Sequence, residues 1–387
     1  MSKLEELIQQ YCPDGVEYKP LGDYLSYEQP TKYLVVNTKY DDSYLTPVLT
    51  AGQSFILGYT NEKEGIFQAS KDVPVIIFDD FTTSFHWVDF SFKVKSSAMK
   101  MLRPIDEKKA LFRYLFYCMK NILYVPGDHT RQWIGTYSQF EIPVPPLPVQ
   151  EEIVRILDNF TELQAELQAE LQKRKLQYNY YLDNLLNFNR GGYQAEVRWM
   201  KLKDIGKVCM CKRILKSQTS SSGDVPFFKI GTFGGNADAY ISQALFNEYK
   251  AKYSYPQKGD VLISAAGTIG RTIVFDGTPS YFQDSNIVWL KHDGSIVLNS
   301  YLRYCYALNP WVVSTGGTIA RLYNDNILEA TIPVPSLANQ QKIVNILDRF
   351  DALTTDLSQG LPAEIAKRRQ QYEYYRDKLL TFKRKAA

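Results

Sequence analysis

From Gln150 to Phe188 the apolar positions recur at alternating steps of four and three residues. The series Ile153, Leu157, Phe160, Gln164, Leu167, Leu171, Arg174, Tyr178, Tyr181, Leu185 and Phe188 is apolar or aromatic at nine of its eleven places. Such a heptad seam predicts a long helix that buries one stripe against a helical partner. At 1.5 Å per residue the helix would run roughly 58 Å. The preceding PVPPLP, Pro143–Pro148, predicts an extended lead-in, because proline cannot continue a helix. A second seam opens the same way at Ile343, Leu347, Phe350 and Leu357. There SQGLPAEI places Gly360 and Pro362 in its path, predicting a break at 360–362 and a restarted helix that ends near Phe382.

The two seams belong to an internal repeat. IPVPPLPVQEEIVRILDNF (Ile142–Phe160) returns as IPVPSLANQQKIVNILDRF from Ile332, with 12 of 19 positions identical at an offset of 190. KRKLQYNYYLDNLLNF (Lys173–Phe188) matches KRRQQYEYYRDKLLTF (Lys367–Phe382) at an offset of 194, so the second copy is four residues longer in its middle. Upstream, VEYKPLGDY from Val16 resembles VRWMKLKDI from Val197. The blocks between the helices carry strand-like runs punctuated by Gly, Pro and Asp, such as DVPVIIFDDF, HWVDFSFKVK, GDVLISAAGTIGRTIVFD and SNIVWLKH, together with short helical patterns such as EKKALFRYLFYCMKNI. The expected order is a mixed α/β block at 1–149, a helix at 150–189, a second block at 190–337 and a second helix at 338–387. An antiparallel helix pair is expected, because the second block must then only join neighbouring helix ends. A parallel pair would stretch that block along the whole rod. An amphipathic hairpin folded on its own domain would show the same seam. The fold class is α/β (α+β), with two mixed domains, two long antiparallel helices and a pseudo-twofold repeat.

A chain of 387 residues fits two to four compact units. Its 45% apolar and 22% charged residues are those of a globular protein. No apolar run nears bilayer length, and Glu5 and Glu6 interrupt any signal-like h-region, so the cytoplasm is expected. Five cysteines (12, 118, 209, 211 and 305), odd in number and scattered, read as reduced thiols. The net charge of +3 does not by itself argue for nucleic acid, although Lys and Arg gathered on one face would suffice.

Enzymatic signatures are missing. There is no G-x-x-x-x-G-K-[ST] phosphate loop, and NPWV at Asn309 lacks the second proline of an amino-methyltransferase loop. Asp14, Glu17 and Lys19 superficially match a nuclease pattern, but the two carboxylates, Asp14 and Glu17, are separated by only two residues and cannot come from separate strands. Cys209 and Cys211 have no second ligand pair for zinc.

The duplicated IP-x-P-x-L, Q-x-x-IV-x-IL-D and Tyr-Leu-rich helix ends resemble the specificity subunits of type I restriction-modification enzymes over essentially the whole chain. TELQAELQAELQ (Thr161–Gln172) is similar to the tandem four-residue units that family carries in its spacer helix. The resemblance implies a non-catalytic, DNA-binding component of a restriction system. Two target-recognition domains would each read half of a split DNA sequence, with coiled-coil helices fixing the gap. Its partners would be double-stranded DNA, methyltransferase subunits (two of them) and restriction subunits, with no membrane. No cofactor is expected in this chain; S-adenosylmethionine, ATP and Mg would belong to the partners. The rival reading is a coiled-coil scaffold whose terminal domains bind proteins.

Arg and Lys suit phosphates and guanine edges, and Asn and Gln suit adenine. The 190-residue offset aligns Arg131 in GDHTRQWIGTYS with Arg321 in GGTIARLYNDN. His129 and Gln132 share the first loop. Lys32, Lys216, Lys229, Asn236 and Arg271 complete the candidate DNA-contacting set. Leu167, Leu171, Tyr178, Tyr181, Tyr372 and Tyr375 are the candidates for helix and partner contacts, since tyrosine is amphipathic and enriched at interfaces.

Overall fold

The computed structural model describes residues 2–52, 54–188, 197–313 and 321–385. The chain divides into two compact units, one of Met1–Leu167 with Ile365–Ala387 and the other of Gln168–Glu364. The expected junction at 189–190 lies outside the described residues.

In the first unit α1 (Lys3–Tyr11) precedes β1 (Tyr18–Pro20), β2 (Leu25–Glu28), β3 (Thr46–Leu49), β4 (Ile56–Thr60), β5 (Val75–Asp79), β6 (Phe85–Val88), β7 (Lys93–Val94) and β8 (Met99–Pro104). Then come α2 (Phe112–Asn121), β9 (Glu141–Pro143) and α3 (Leu147–Leu186). Strands order as an antiparallel sheet β2-β8-β5-β6, a sheet β4-β3-β7 and the pair β1-β9. The central strand β5 is VIIFD, and its alternation decides the layering. Ile76 and Phe78 face a core built with α2 and the foot of α3, while Val75 and Ile77 face a second core against β3 and β7. Both faces are covered, so the strand reads as an unbroken apolar run.

The second unit repeats this plan. It holds β10 (Arg198–Lys201), β11 (Lys207–Cys209), β12 (Val225–Phe228), β13 (Tyr240–Ile241), α4 (Gln243–Lys252), β14 (Val261–Ser264), β15 (Thr272–Val274), β16 (Tyr281–Phe282) and β17 (Ile287–Lys291). These lead into α5 (Asn299–Ala307), α6 (Asn324–Leu328), β18 (Thr331–Val334), α7 (Leu337–Thr355) and α8 (Leu361–Leu379). Sheets of order β11-β17-β14-β15, β13-β12-β16 and β10-β18 match those of the first unit strand for strand. Val261 and Ile263 of β14 pack towards α5, and Leu262 packs the other way.

The duplicated sequence motif forms the joint between each α/β domain and its helix. Gln150 and Gln340 are fully buried. The Gln150 amide donates to the carbonyls of Pro145 (2.7 Å) and Lys109 (3.4 Å), and its oxygen accepts from the Leu111 N–H at 2.9 Å. Gln340 donates to Pro335 and Ile296 and accepts from Leu298, each at 2.9 Å. A tyrosine of the short helix caps each motif strand. Tyr114 donates to the Pro143 carbonyl and Tyr301 to the Pro333 carbonyl, both at 3.0 Å. One turn on, Tyr117 and Tyr304 donate to Asp158 and Asp348, the aspartates of the two Q-x-x-IV-x-IL-D motifs. Burial, helped by the adjacent carboxylate, pushes both phenols far above the ordinary tyrosine range, so they remain donors.

The helices are antiparallel within each unit. In the first unit α3 leaves the domain while the end of α8 returns to it. Phe160 stacks on Tyr375 with centroids 5.5 Å apart, and Leu380 enters the domain core. Beyond α8 the chain runs beside Val16, where the Tyr18 hydroxyl donates to the Phe382 carbonyl at 3.0 Å. Gly15 has φ +105, and a Cβ there would lie 2.6 Å from the Lys383 carbonyl oxygen, so only glycine lets the two segments meet. In the second unit α3 arrives as α7 departs, and Tyr181 stacks on Phe350 at 5.2 Å.

Two details differ from the periodicity. The first helix begins at Leu147 and so takes in Pro148, which the first turn tolerates because its N–H would be unbonded anyway. The buried stripe also drifts. Leu182 and Leu186, one place beyond the heptad positions Tyr181 and Leu185, are the core residues at the far end. A straight helix of 3.6 residues per turn moves away from a 3.5-residue repeat by about 20° per heptad. The second seam is interrupted at Asp356–Gly360, where a Cβ on Gly360 would meet the Ala352, Asp356 and Leu353 carbonyl oxygens at 2.6, 2.8 and 2.9 Å.

Replacing Gln340 with Ala leaves one buried N–H and two carbonyls unpaired. It should cost about 2–4 kcal/mol in urea unfolding. A loss under about 1 kcal/mol would show that the latch does not hold the joint.

Candidate nucleic-acid interface

In the second domain the loop after β11, the end of β12 and the turn between β16 and β17 enclose a groove of about 580 Å³. Phe227 and Ala239 line its apolar part, while Arg213, Lys216, Lys229 and Arg321 supply four cations against the single carboxylate of Asp284. Three of the sequence candidates, Lys216, Lys229 and Arg321, are therefore brought together. Arg213 was missed, although it lies in the same CKRILKSQ run as Lys216. It pairs with Asp284 at 2.8 Å while its side chain stays 67% exposed. Lys216 is exposed and has no ion pair among the described residues. Lys229 bridges to Asp238 at 2.8 Å. Arg321 donates to the Ser285 carbonyl (3.2 Å) and to Asn286 Oδ1 (3.1 Å). Ser285 holds φ +54, a left-handed conformation unusual for a side-chain-bearing residue, and points its carbonyl at the guanidinium. The stretch 314–320 before Arg321 lies outside the described residues.

Arg271 and Asn236 are not among the residues that line this groove, and Arg271 lies instead against Gly234. Arg271 donates to the Gly234 carbonyl at 3.3 Å, and a Cβ on Gly234 (φ +78) would strike the guanidinium at 2.5 Å. Asn236 is exposed.

In the first domain His129 and Arg131 are exposed on the loop that follows α2. The His129 ring stacks on Phe81 with centroids 4.5 Å apart and planes within 16°. Arg131 has no side-chain partner among the described residues. Gln132 corrects the expectation, because it is buried beneath the loop rather than displayed on it. Its amide donates to the Thr130 carbonyl (3.0 Å) and Asp128 (3.2 Å) and accepts from the Tyr124 hydroxyl (2.7 Å), so it shapes the loop and offers nothing to a base edge. Lys32 sits on a separate short helical turn, exposed but paired with Glu28 at 2.7 Å.

The alignment of Arg131 with Arg321 has a backbone counterpart. The N–H after Arg131 bonds the Asp80 carbonyl just beyond β5 at 2.8 Å, and the N–H after Arg321 bonds the Ala265 carbonyl just beyond β14 at 2.9 Å. One guanidinium is thus carried at the same frame position of both domains.

Along the helices Leu171 is buried and Leu167 half-buried. Tyr178 and Tyr372 pack at the edges of their domain cores, and Tyr181 and Tyr375 make the ring stacks given above. The seam tyrosines therefore serve this chain's own packing. The most exposed tyrosines of the two runs are their neighbours Tyr180 and Tyr374, equivalent in the repeat and 66% and 62% exposed, against 36% for Tyr181. A tyrosine run by itself does not reveal which ring turns outward.

Cys209 and Cys211 are buried, and desolvation pushes the Cys211 thiol up to about 12. Among the described residues no group of three or more His, Cys, Asp or Glu could hold a metal, and no helix is long and apolar enough to cross a membrane.

The family model for the type I restriction modification DNA specificity domain matches twice, at residues 13–174 and 195–367. The chain belongs to the type I restriction-modification specificity subunits. It is similar to the EcoR124I/EcoR124II specificity subunit of Escherichia coli, with 41% identity over 406 residues, covering 99% of this chain and 97% of the relative. A Haemophilus influenzae relative named for the same subunit type is 45% identical over 344 residues, 85% of this chain and 86% of its own. In fold it resembles the S subunit of a type I system from M. genitalium, with TM-score 0.57, 13% identity and 95% and 96% of the two chains covered. A chain solved in a study of complex assembly and conformational transition of a type I system gives TM-score 0.58 at 17% identity, over 96% and 98% of the two chains. Specificity subunits are the non-catalytic components of their complexes, and membership decides against the scaffold reading.

Gln132→Ala should speed amide exchange across Thr130–Trp133 by roughly tenfold or more while global unfolding moves by under about 1 kcal/mol. Unchanged exchange would mean the loop keeps its shape without that amide.

Proposed function

We propose that this specificity subunit reads a bipartite double-stranded DNA target, with one half-site for each of the domains at 1–149 and 190–337. In the second domain the groove cations would engage phosphates and guanine edges, with Lys216 as a phosphate contact and Arg321, held by Asn286 and Ser285, as a base-reading candidate. In the first domain His129 and Arg131 would act from their loop. Lys32, Arg271 and Asn236 are reserved for flanking contacts. The observation that carries this reading is the arginine at one frame position of both domains, fixed by the same backbone hydrogen bond beside the central sheet.

The helices would serve as the ruler. α3 is one uninterrupted helix of 40 residues, so the pairs left unread between half-sites follow from its length rather than from a flexible linker. Methyltransferase subunits, two of them to match the twofold repeat, and restriction subunits would assemble on this chain in the cytoplasm. Exposed Tyr180 and Tyr374 offer them equivalent aromatic anchors. S-adenosylmethionine, ATP and Mg would reside in those partners, and this chain would carry no cofactor.

Deleting one tetrad, Ala165–Gln168, removes about 6 Å and slightly more than one helical turn. Modification sites mapped by sequencing should keep their half-sites and shorten their gap; an unchanged gap would refute the ruler. Lys216→Ala should weaken binding of cognate and altered duplexes alike and lower the slope of log affinity against log salt by about 0.9. A loss confined to one sequence would instead make Lys216 a base reader.

A further inference from the structure

The turn after β5 holds a charged pair that the reading above does not use. Asp80 and Lys100 are each 1% exposed, and Lys100 Nζ lies 3.1 Å from Asp80 Oδ2 and 4.3 Å from the Tyr27 ring centroid. The other carboxylate oxygen, Oδ1, accepts from the Trp133 N–H at 2.8 Å, and the Asp80 carbonyl accepts from the Gln132 N–H at 2.8 Å. The next residue, Phe81, carries the His129 ring. One buried carboxylate and its neighbour therefore grip both sides of Arg131.

The repeat supplies a control. Ala265 stands where Asp80 does, its carbonyl taking the equivalent N–H from Leu322. Val288 lies opposite Ile263 as Lys100 lies opposite Phe78. The frame therefore forms without the ion pair. Its second copy tethers the arginine side chain itself, through Asn286 and Ser285, whereas Arg131 is free-standing on a loop held from below. Two charges buried together contribute little net stability compared with an apolar pair of similar size, so fold stability alone does not account for them.

We propose that the buried Asp80 side chain, seated by Lys100, is the positioning device for the first half-site, through the acceptor it offers the Trp133 N–H. It holds the Arg131 loop in its DNA-contacting shape, so discrimination by the first domain depends on a residue that never touches DNA. A loop ordered in advance loses less freedom on binding, and the gain falls on the arginine it presents. The proposal rests on the reading of His129 and Arg131 as DNA contacts.

The test uses the chain assembled with its methyltransferase subunits and duplexes altered in one half-site or the other, read by competition binding. D80A/K100M removes both charges and the anchor. D80N/K100M removes both charges and leaves an acceptor for the Trp133 N–H. R131A removes the presented group. D80A/K100M should reduce preference for the intact first half-site roughly tenfold or more, as a lost base contact does. Preference at the second half-site should stay within about twofold, as for distant independent sites. D80N/K100M should recover most of that preference, and R131A should lose it. If R131A loses it and D80A/K100M does not, or D80A/K100M weakens both half-sites alike, or the Asn variant fares no better than the Ala variant, the positioning role is overturned while the loop reading stands. If R131A leaves both half-sites unaffected, the loop reading itself fails and takes the proposal with it.

Discussion

A buried glutamine at the foot of each long helix is the constraint on which the rest depends. An amide sealed from water must satisfy both donors and its acceptor, and here it can do so only if three chain segments meet at one point. Those segments are the proline-bounded strand, the lead-in to the short helix and the first turn of the long helix. Gln150 and Gln340 thereby convert a loose sequence of sheet, loop and helix into a joint of fixed geometry. The Tyr–Asp bonds one turn further along extend the joint into the helix. A ruler needs such joints, because a rigid rod on a swivelling attachment sets no distance.

Much of this could be read from the residues. The repeat, the mixed α/β character of both blocks and the long first helix follow from periodicity and from two near-identical motifs. What could not be read has physical causes. The heptad count assigned Tyr181 to the seam where Leu182 is the core residue, because a sequence pattern does not report whether a helix is underwound to 3.5 residues per turn. Gln132 looked like a base reader because its amide has the right chemistry, yet it is consumed within its own loop, and only burial reveals that. Arg213 joins the groove through a fold of the chain that spacing does not encode. The equivalent frame position of Arg131 and Arg321 is legible because the offset between two copies carries three-dimensional information that a single motif lacks.

The two domains share a frame and differ in how they hold what is mounted on it. In one, an arginine is tethered to a strained carbonyl and an asparagine inside a cationic groove. In the other, an exposed arginine rides on a loop fixed from beneath. Divergent mountings on a common frame are what a pair of recognition domains requires if each is to recognise a different sequence while the helical motifs of the repeat stay alike. Cores built from Ile76 and Phe78 or from Val261 and Ile263 tolerate this, because the loops above them can change without disturbing the packing below.

The interruption at Asp356–Gly360 makes the two helical copies unequal. One strut is continuous and the other is jointed, with a glycine wedged where three carbonyls converge. A whole tetrad added to or lost from the continuous strut advances it by slightly more than one turn, leaving an angular residue as well as a change in length. The second copy can take up such a step by re-winding a few residues at Asp356–Gly360, where its helical hydrogen-bond ladder already stops. The irregularity therefore marks the place in the second copy where a change of helix length would disturb the fewest backbone hydrogen bonds.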